Sequence, residues 1–220
     1  LRAADVDRIV FSSTAATYGQ PEQQPITEDA PTRPNSPYGS TKLAIDLALT
    51  DYARSYGMAA VSLRYFNVAG ALHAADGRSY GERHANETHL IPNALRAAGG
   101  SQPALSLFGT DYPTADGTCV RDYIHVLDLA DAHLRALAAA TAGEHHVVNL
   151  GSGSGHTVRE VLDAVKQVTG AEVPVVESGR RAGDVAVLIA SNAKAAELLD
   201  WRPTRDLTAM VEDAWRFEQA

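Results

Sequence analysis

Short β-branched runs alternate along this chain with helix-length segments of mixed polarity, and that alternation restricts the fold more than any other feature. Residues 8–13 (RIVFSS) are too short for a helix and apolar enough for a buried strand. Further strands are predicted over 60–66, 105–108, 123–126, 146–150 and 173–177. Helices are predicted from Pro37 to a stop at Gly57, and over 89–98, 127–140, 158–168, 193–199 and 207–217. Strands separated by such helices form parallel β-α-β units, so the expected class is α/β, a doubly wound parallel sheet with helices on both faces.

The punctuation supports this reading. Five prolines between Gln20 and Pro37 make that stretch a loop, and Pro37 suits a first helical turn, with Asn35 or Ser36 as its cap. Leu43, Leu47, Ala48 and Tyr52 follow at helical spacing, and Gly57 stands where a left-handed cap belongs. No internal repeat or flexible linker is visible, so two subdomains would have to interleave. At 220 residues, with 45% hydrophobic and 21% charged residues, the chain is long enough to bury a core without staples. It opens on Leu1 rather than Met, and reads as a piece of a longer protein.

Charge and cysteine content narrow the function. A net charge of -8 is the wrong sign for a chain that binds phosphate backbones, so no nucleic-acid partner is expected. An anionic ligand would have to be held by individually placed arginines. Cys119 is the sole cysteine, which excludes an intramolecular disulfide and fits a reducing cytoplasm. No apolar stretch approaches a membrane span, and no signal peptide opens the chain.

The residues that invite chemistry are Tyr38 and Lys42. Four apart at a helix start, they project from one face, and an ammonium beside a phenol favours the phenolate that acid/base work needs. With 8 Tyr and 3 Lys in the chain, such a pair is not expected by chance. Upstream, Ser12, Ser13 and Thr14 end the first strand, where open α/β sheets place ligand groups, although hydroxyls there also serve as turn formers. Three other features carry little. Residues 151–156 (GSGSGH) nearly spell a dinucleotide fingerprint, but His156 occupies the third glycine position. The pair His145 and His146 and the other six histidines lack metal-ligand spacing, so no metal is expected. Residues 86–88 (NET) match a glycosylation sequon without meaning in a cytosolic chain.

Residues 11–19 (FSSTAATYG), 36–42 (SPYGSTK), 63–70 (LRYFNVAG), 108–130 (FGTDYPTADGTCVRDYIHVLDLA) and 180–184 (RRAGD) together resemble the UDP-glucose 4-epimerase family of extended short-chain dehydrogenase/reductases. The resemblance runs the length of the chain, without the family's N-terminal half-sheet and its glycine-rich NAD loop. It implies a partial Rossmann-type domain over 1–70 and 118–150, and a smaller UDP-sugar subdomain over 71–117 and 151–220. It implies NAD as cofactor, contacted by Ser12, Ser13, Tyr38, Lys42 and Phe66, and a homodimer when complete. Tyr38 would be the acid/base on the sugar's 4-hydroxyl, with Lys42 on the nicotinamide ribose and Thr14 bonded to the same hydroxyl. Asn67, Arg121 and Arg181 would hold the diphosphate, Leu90 and Phe108 would frame the uracil, and Asp184 would bond the ribose. Tyr123 would join the substrate contacts, as would His89, which replaces an Asn of some members. Leu188 would wall the sugar pocket, at a position where a smaller residue admits N-acetylated sugars.

The resemblance also weighs the rivals. Sugar-nucleotide 4,6-dehydratases follow the active-site Thr with Asp and Glu, whereas Ala15 and Ala16 stand here and move no proton, which excludes dehydration. The remaining alternatives are a truncated chain that binds nucleotide sugars without turnover, and a related NAD-dependent sugar-nucleotide enzyme.

Overall fold

The computed structural model describes residues 1–181 and 183–220. In chain order its elements are β1 (Arg8–Thr14), α1 (Pro37–Tyr56), β2 (Ala59–Tyr65), β3 (Asn67–Ala69), β4 (Ala71–His73), β5 (Ser79–Gly81), α2 (Leu90–Ala98), β6 (Leu105–Phe108) and β7 (Val120–His125). They continue with α3 (Val126–Ala139), β8 (His145–Leu150), β9 (Gly155–Thr157), α4 (Val158–Thr169), β10 (Val175–Ser178), β11 (Val187–Leu188), α5 (Ala193–Leu199) and α6 (Leu207–Glu218). Among the described residues no helix is long and apolar enough to cross a membrane.

The chain forms two compact units that interleave along the sequence. The first comprises residues 1–66, 129–153 and 189–202. Its sheet is three-stranded, parallel and ordered β1-β2-β8, with Arg8 opposite Ala59 and Ala60 opposite His145. The central strand β2 is buried over Ala59–Arg64, as parallel strands covered on both faces must be. The helix α1 begins as the sequence predicts: Ser36 Oγ accepts from the Gly39 N–H at 3.1 Å, and Pro37 takes the first position. It ends at Gly57, whose φ of 72° lets its N–H reach the Ala53 carbonyl at 2.9 Å. The apolar spacing of α1 misleads, however. Leu47 and Tyr52 are exposed, while the buried face carries Gly39, Asp46, Leu49 and Ala53.

The second unit comprises residues 67–128, 154–188 and 203–220. Here β11, β7 and β3 run parallel, β9 pairs antiparallel with β7, β10 pairs with β6, and β4 with β5 forms a small antiparallel ladder. The helices α2, α4 and α6 pack through Ile91, Leu95, Val161, Val165, Met210 and Val211, all essentially without solvent contact. A capping box starts α4: Thr157 Oγ1 accepts from the Glu160 N–H at 3.1 Å, and Glu160 Oε2 accepts from the Thr157 N–H at 2.7 Å.

The expected division of the chain differs from these units in four places, two of them boundary shifts in which residues 67–70 join the second unit and 151–153 the first. Residues 118–128 fall in the second unit rather than the first, because β7 finds its partners in β3, β9 and β11. Residues 189–202 fall in the first, because Ile26 bridges to Ala190, and the Asn192 amide bonds both backbone groups of Gly151 at 3.2 and 2.9 Å. The second unit is therefore not the smaller one; the two take about equal shares of the chain.

Candidate active site and nucleotide cavity

In the first unit, Tyr38, Lys42 and Thr14 are brought together at the carboxyl end of β1. Gly39 makes this possible: a Cβ there would lie 2.5 Å from the Ala16 carbonyl oxygen, so only glycine lets the first turn of α1 press against the turn that follows Thr14. Thr14 Oγ1 accepts from the Ala16 N–H at 3.2 Å and its carbonyl accepts from Thr17 Oγ1 at 2.9 Å, which fixes the strand end. Lys42 Nζ donates to the Ser12 carbonyl at 2.9 Å and sits 5.0 Å from the Phe11 ring centroid and 5.6 Å from that of Tyr38. Tyr38 itself is 54% exposed, its phenol available to a ligand. Ser12 and Ser13 are placed differently from Tyr38. Their hydroxyls are engaged inside the protein, Ser12 with His133 at 3.1 Å and Ser13 with Asp46 at 3.1 Å. Phe66 is buried at the end of the same unit, its N–H donating to Leu150.

Beneath this pair lies an anchor that the sequence analysis did not single out. Asp46, one turn after Lys42, is buried and accepts from Arg64 Nε and Nη2 and from Ser13. Arg64 in turn lies over the Tyr18 ring at 4.9 Å, and Tyr18 donates to Asn149 Oδ1 at 2.7 Å. Burial raises the Tyr18 phenol above its ordinary range, against the opposing pull of Arg64, so it stays a neutral donor. The signal was available: a carboxylate on the covered face of α1 and an arginine inside an otherwise apolar strand each demand a partner.

The second unit contains a cavity of about 560 Å³, lined by Asn67, His89, Leu90, Phe108, Arg121, Tyr123, Arg181 and Asp184 among others. Eight of the expected substrate contacts thus converge on one space. Thr14 belongs to the first unit, and Leu188 is half-buried in β11, paired with Arg121 rather than lining the cavity. Arg121 is aimed by its backbone contacts: Nη1 donates to the carbonyls of Val120 and Val185 at 2.9 and 2.8 Å, and Nη2 lies 3.6 Å from Asp184. Arg181 lies over the Phe108 ring at 4.5 Å. Asn67 donates to the Asp122 carbonyl at 2.8 Å.

The chemistry of this lining is that of holding, not reacting. Burial pushes the Tyr123 phenol far above its ordinary range and raises the Cys119 thiol, so neither provides a nucleophile or a base. What remains is two guanidinium groups on the walls of a concave site with an aromatic face, an arrangement able to hold an anionic group beside a planar ring.

Two other features of the sequence take their place in the fold. The glycines of 151–155 do not open a helix, since β9 intervenes and Thr157 caps α4, so the near-fingerprint is a connection. The histidines lack metal-ligand spacing along the chain, but the fold gathers two of them with two glutamates. Glu82, His84, Glu87 and His89 bring ligand atoms within 4.8 Å of one another. Their offsets of 2, 3 and 2 residues match no helical or zinc-finger pattern, and only the path of the loop before α2 gathers them.

Residues 1–151 match the NAD dependent epimerase/dehydratase family. The chain belongs to that family. This member is 53% identical over 221 residues to UDP-glucose 4-epimerase of Corynebacterium glutamicum and 52% identical over 220 residues to that of Streptomyces lividans. All of the chain is covered in both comparisons, and it spans 66% and 65% of those relatives' lengths. A crystal structure of the Stenotrophomonas maltophila UDP-glucose 4-epimerase, with bound NAD and formylated UDP-arabinopyranose, is 40% identical and superposes with a TM-score of 0.92. That match covers 99% of this chain and 65% of the other. The Bifidobacterium longum enzyme in complex with NAD+ and UDP gives 35% identity and a TM-score of 0.91, covering 99% and 65%.

Proposed function

We propose that this family member inverts carbon 4 of a UDP-hexose, interconverting UDP-galactose and UDP-glucose with NAD as cofactor. The observation that carries the reading is the Tyr38 and Lys42 pair at the carboxyl end of β1, with Lys42 fixed on the Ser12 carbonyl and Thr14 beside it. The names of the relatives support it.

The residues present fit the ribose and nicotinamide end of a dinucleotide. The close approach of Gly39 to Ala16 puts a half-exposed phenol and an ammonium at one spot, where polar partners of a ribose belong. Bound NAD supplies the acceptor and donor of the hydride at carbon 4. Tyr38 takes the proton of the 4-hydroxyl as the carbonyl forms, and returns it when the sugar is reduced from its other face. Lys42 stabilises the negative charge that the Tyr38 oxygen carries before it takes that proton and again after it returns it, and bonds the ribose hydroxyls. Thr14 positions the 4-oxygen by a hydrogen bond. Arg121 and Arg181 hold the diphosphate while Leu90 and Phe108 enclose the uracil. The sugar is left loosely held, as presenting both faces requires.

A homodimer is the assembly we propose. Ile45, Leu47, Tyr52 and Tyr56 stand exposed on α1, an apolar surface that supports self-association. The reaction is tested by converting UDP-galactose in deuterated water. Hydride transfer predicts UDP-glucose without deuterium at carbon 4, and deuterium at that carbon would replace this route with proton exchange.

A further inference from the structure

The loop between β5 and α2 gathers four ligand-type side chains. Glu82, His84, Glu87 and His89 each offer an atom within 4.8 Å of the others. Glu82 Oε1 accepts from His84 Nε2 at 2.8 Å and also from His89 Nδ1, which lies 3.6 Å from Glu87 Oε1. A second observation points to a ligand. The Glu87 side chain is only 1% exposed, and while its Oε1 accepts from the backbone N–H groups of Thr88 and His89 at 2.8 and 2.9 Å, its Oε2 has no hydrogen-bond partner. A buried carboxylate oxygen without a donor is costly, and a cation beside it removes that cost.

We propose that Glu82, His84, Glu87 and His89 bind one divalent transition-metal ion, of which Zn2+ is the best match. Two imidazole nitrogens and two carboxylate oxygens without thiolate suit a four-coordinate zinc centre. An oxygen-seeking Ca2+ or Mg2+ would want more oxygens than this cluster offers. Zinc bonds of about 2.0 to 2.2 Å place tetrahedral donors roughly 3.4 Å apart, so the cluster closes by side-chain rotation. That rotation is open to it, since His84 and His89 are 55% and 57% exposed. His89 stands at the N-cap of α2 without a side-chain capping bond, so ligation disturbs no helix cap. The ion takes over the place of the protons that Glu82 now shares with both imidazoles. It cross-links the end of β5 to the start of α2, beside the cavity that Glu87 and His89 line.

The test uses the full chain, stripped with a chelator and titrated with Zn2+ by calorimetry and with Co2+ by visible absorption. The expected result is one ion per chain, tetrahedral Co2+ bands, and affinity that falls as pH drops through the imidazole range. The double variant Glu82→Gln and His84→Ala should weaken Zn2+ binding at least 100-fold with an unchanged circular dichroism spectrum. Should that variant misfold, His84→Asn alone, at an exposed ring, should weaken it at least tenfold. Failure of the wild-type chain to bind Zn2+ stoichiometrically overturns the proposal, as does unchanged affinity in the folded variant.

Discussion

Arg64 donates through both Nε and Nη2 to a single oxygen, Oδ2 of Asp46, at 3.0 and 2.9 Å, with both side chains no more than 6% exposed. The same oxygen accepts from Ser13, so one carboxylate ties α1 to β1 and β2 one turn below Lys42. The position of the helix turn that carries Tyr38 and Lys42 is therefore tied to a buried ion pair.

Removing one partner of such a pair leaves an uncompensated charge in the interior. Asp46→Ala should lower unfolding free energy by about 3 to 5 kcal/mol, measured by denaturant titration. A loss under about 1 kcal/mol would show that Arg64 reaches water and that the anchor is weak.

His145 carries a pH dependence whose sign follows from its surroundings. Both ring nitrogens are bonded, Nδ1 to Thr50 and Nε2 to Ser62, each at 2.8 Å. Desolvation, outweighing the attraction of Asp46, holds its pKa below the ordinary value. The folded state thus favours the neutral ring, and below about pH 6.5 the unfolded chain binds the extra proton more readily. The contribution is complete above that pH and is lost as pH falls through the folded value. Stability should decline between neutral pH and mildly acidic pH, and His145→Gln should flatten that decline. An equal slope in the variant would assign the effect to other groups.

The cavity of the second unit should respond to its guanidinium groups individually. Arg121→Ala and Arg181→Ala should each weaken UDP binding by about 2 kcal/mol in calorimetry, since each leaves diphosphate charge short of a partner. Arg181→Ala is the cleaner probe, because Arg121 also bonds the carbonyls of Val120 and Val185. Unchanged affinity in both would move the diphosphate elsewhere.

Much of this architecture could be read directly from the residues. Ser36, Pro37 and Gly57 mark the ends of α1 by local chemistry alone, and the apolar runs of β1, β2 and β8 leave little choice of element. Local chemistry is silent where pairing comes from afar. The strands β4 and β5 hide in a polar loop because three residues each are too few to show alternation. The strand β7 starts at Val120, ahead of its expected start at 123, because Arg121 and Asp122 mask its pattern. Tyr38 and Lys42 are legible through their spacing, whereas Asp46 with Arg64 and the Glu82 to His89 cluster depend on contacts that only the folded chain creates.

We propose that substrate breadth depends on volume at Leu188, which does not line the cavity of the second unit but is paired in β11 with Arg121, which does. An N-acetyl group at carbon 2 needs room that a Leu leaves and a Tyr ring fills, and overpacking costs about 1 to 3 kcal/mol. The protein should therefore also interconvert UDP-N-acetylglucosamine and UDP-N-acetylgalactosamine, and Leu188→Tyr should suppress that activity while sparing the plain sugars. Equal loss on both substrate pairs in a kinetic comparison would exclude Leu188 as the pocket wall.

The central claim is that Tyr38 moves the proton of the 4-hydroxyl, and its most direct measurement is turnover of UDP-galactose to UDP-glucose by Tyr38→Phe beside the wild type. Loss of a general acid/base typically lowers turnover by about 10² or more, and UDP affinity should stay within about twofold, because Tyr38 is not among the residues lining the cavity proposed to hold the nucleotide. A Phe variant with near-wild-type turnover would contradict the account.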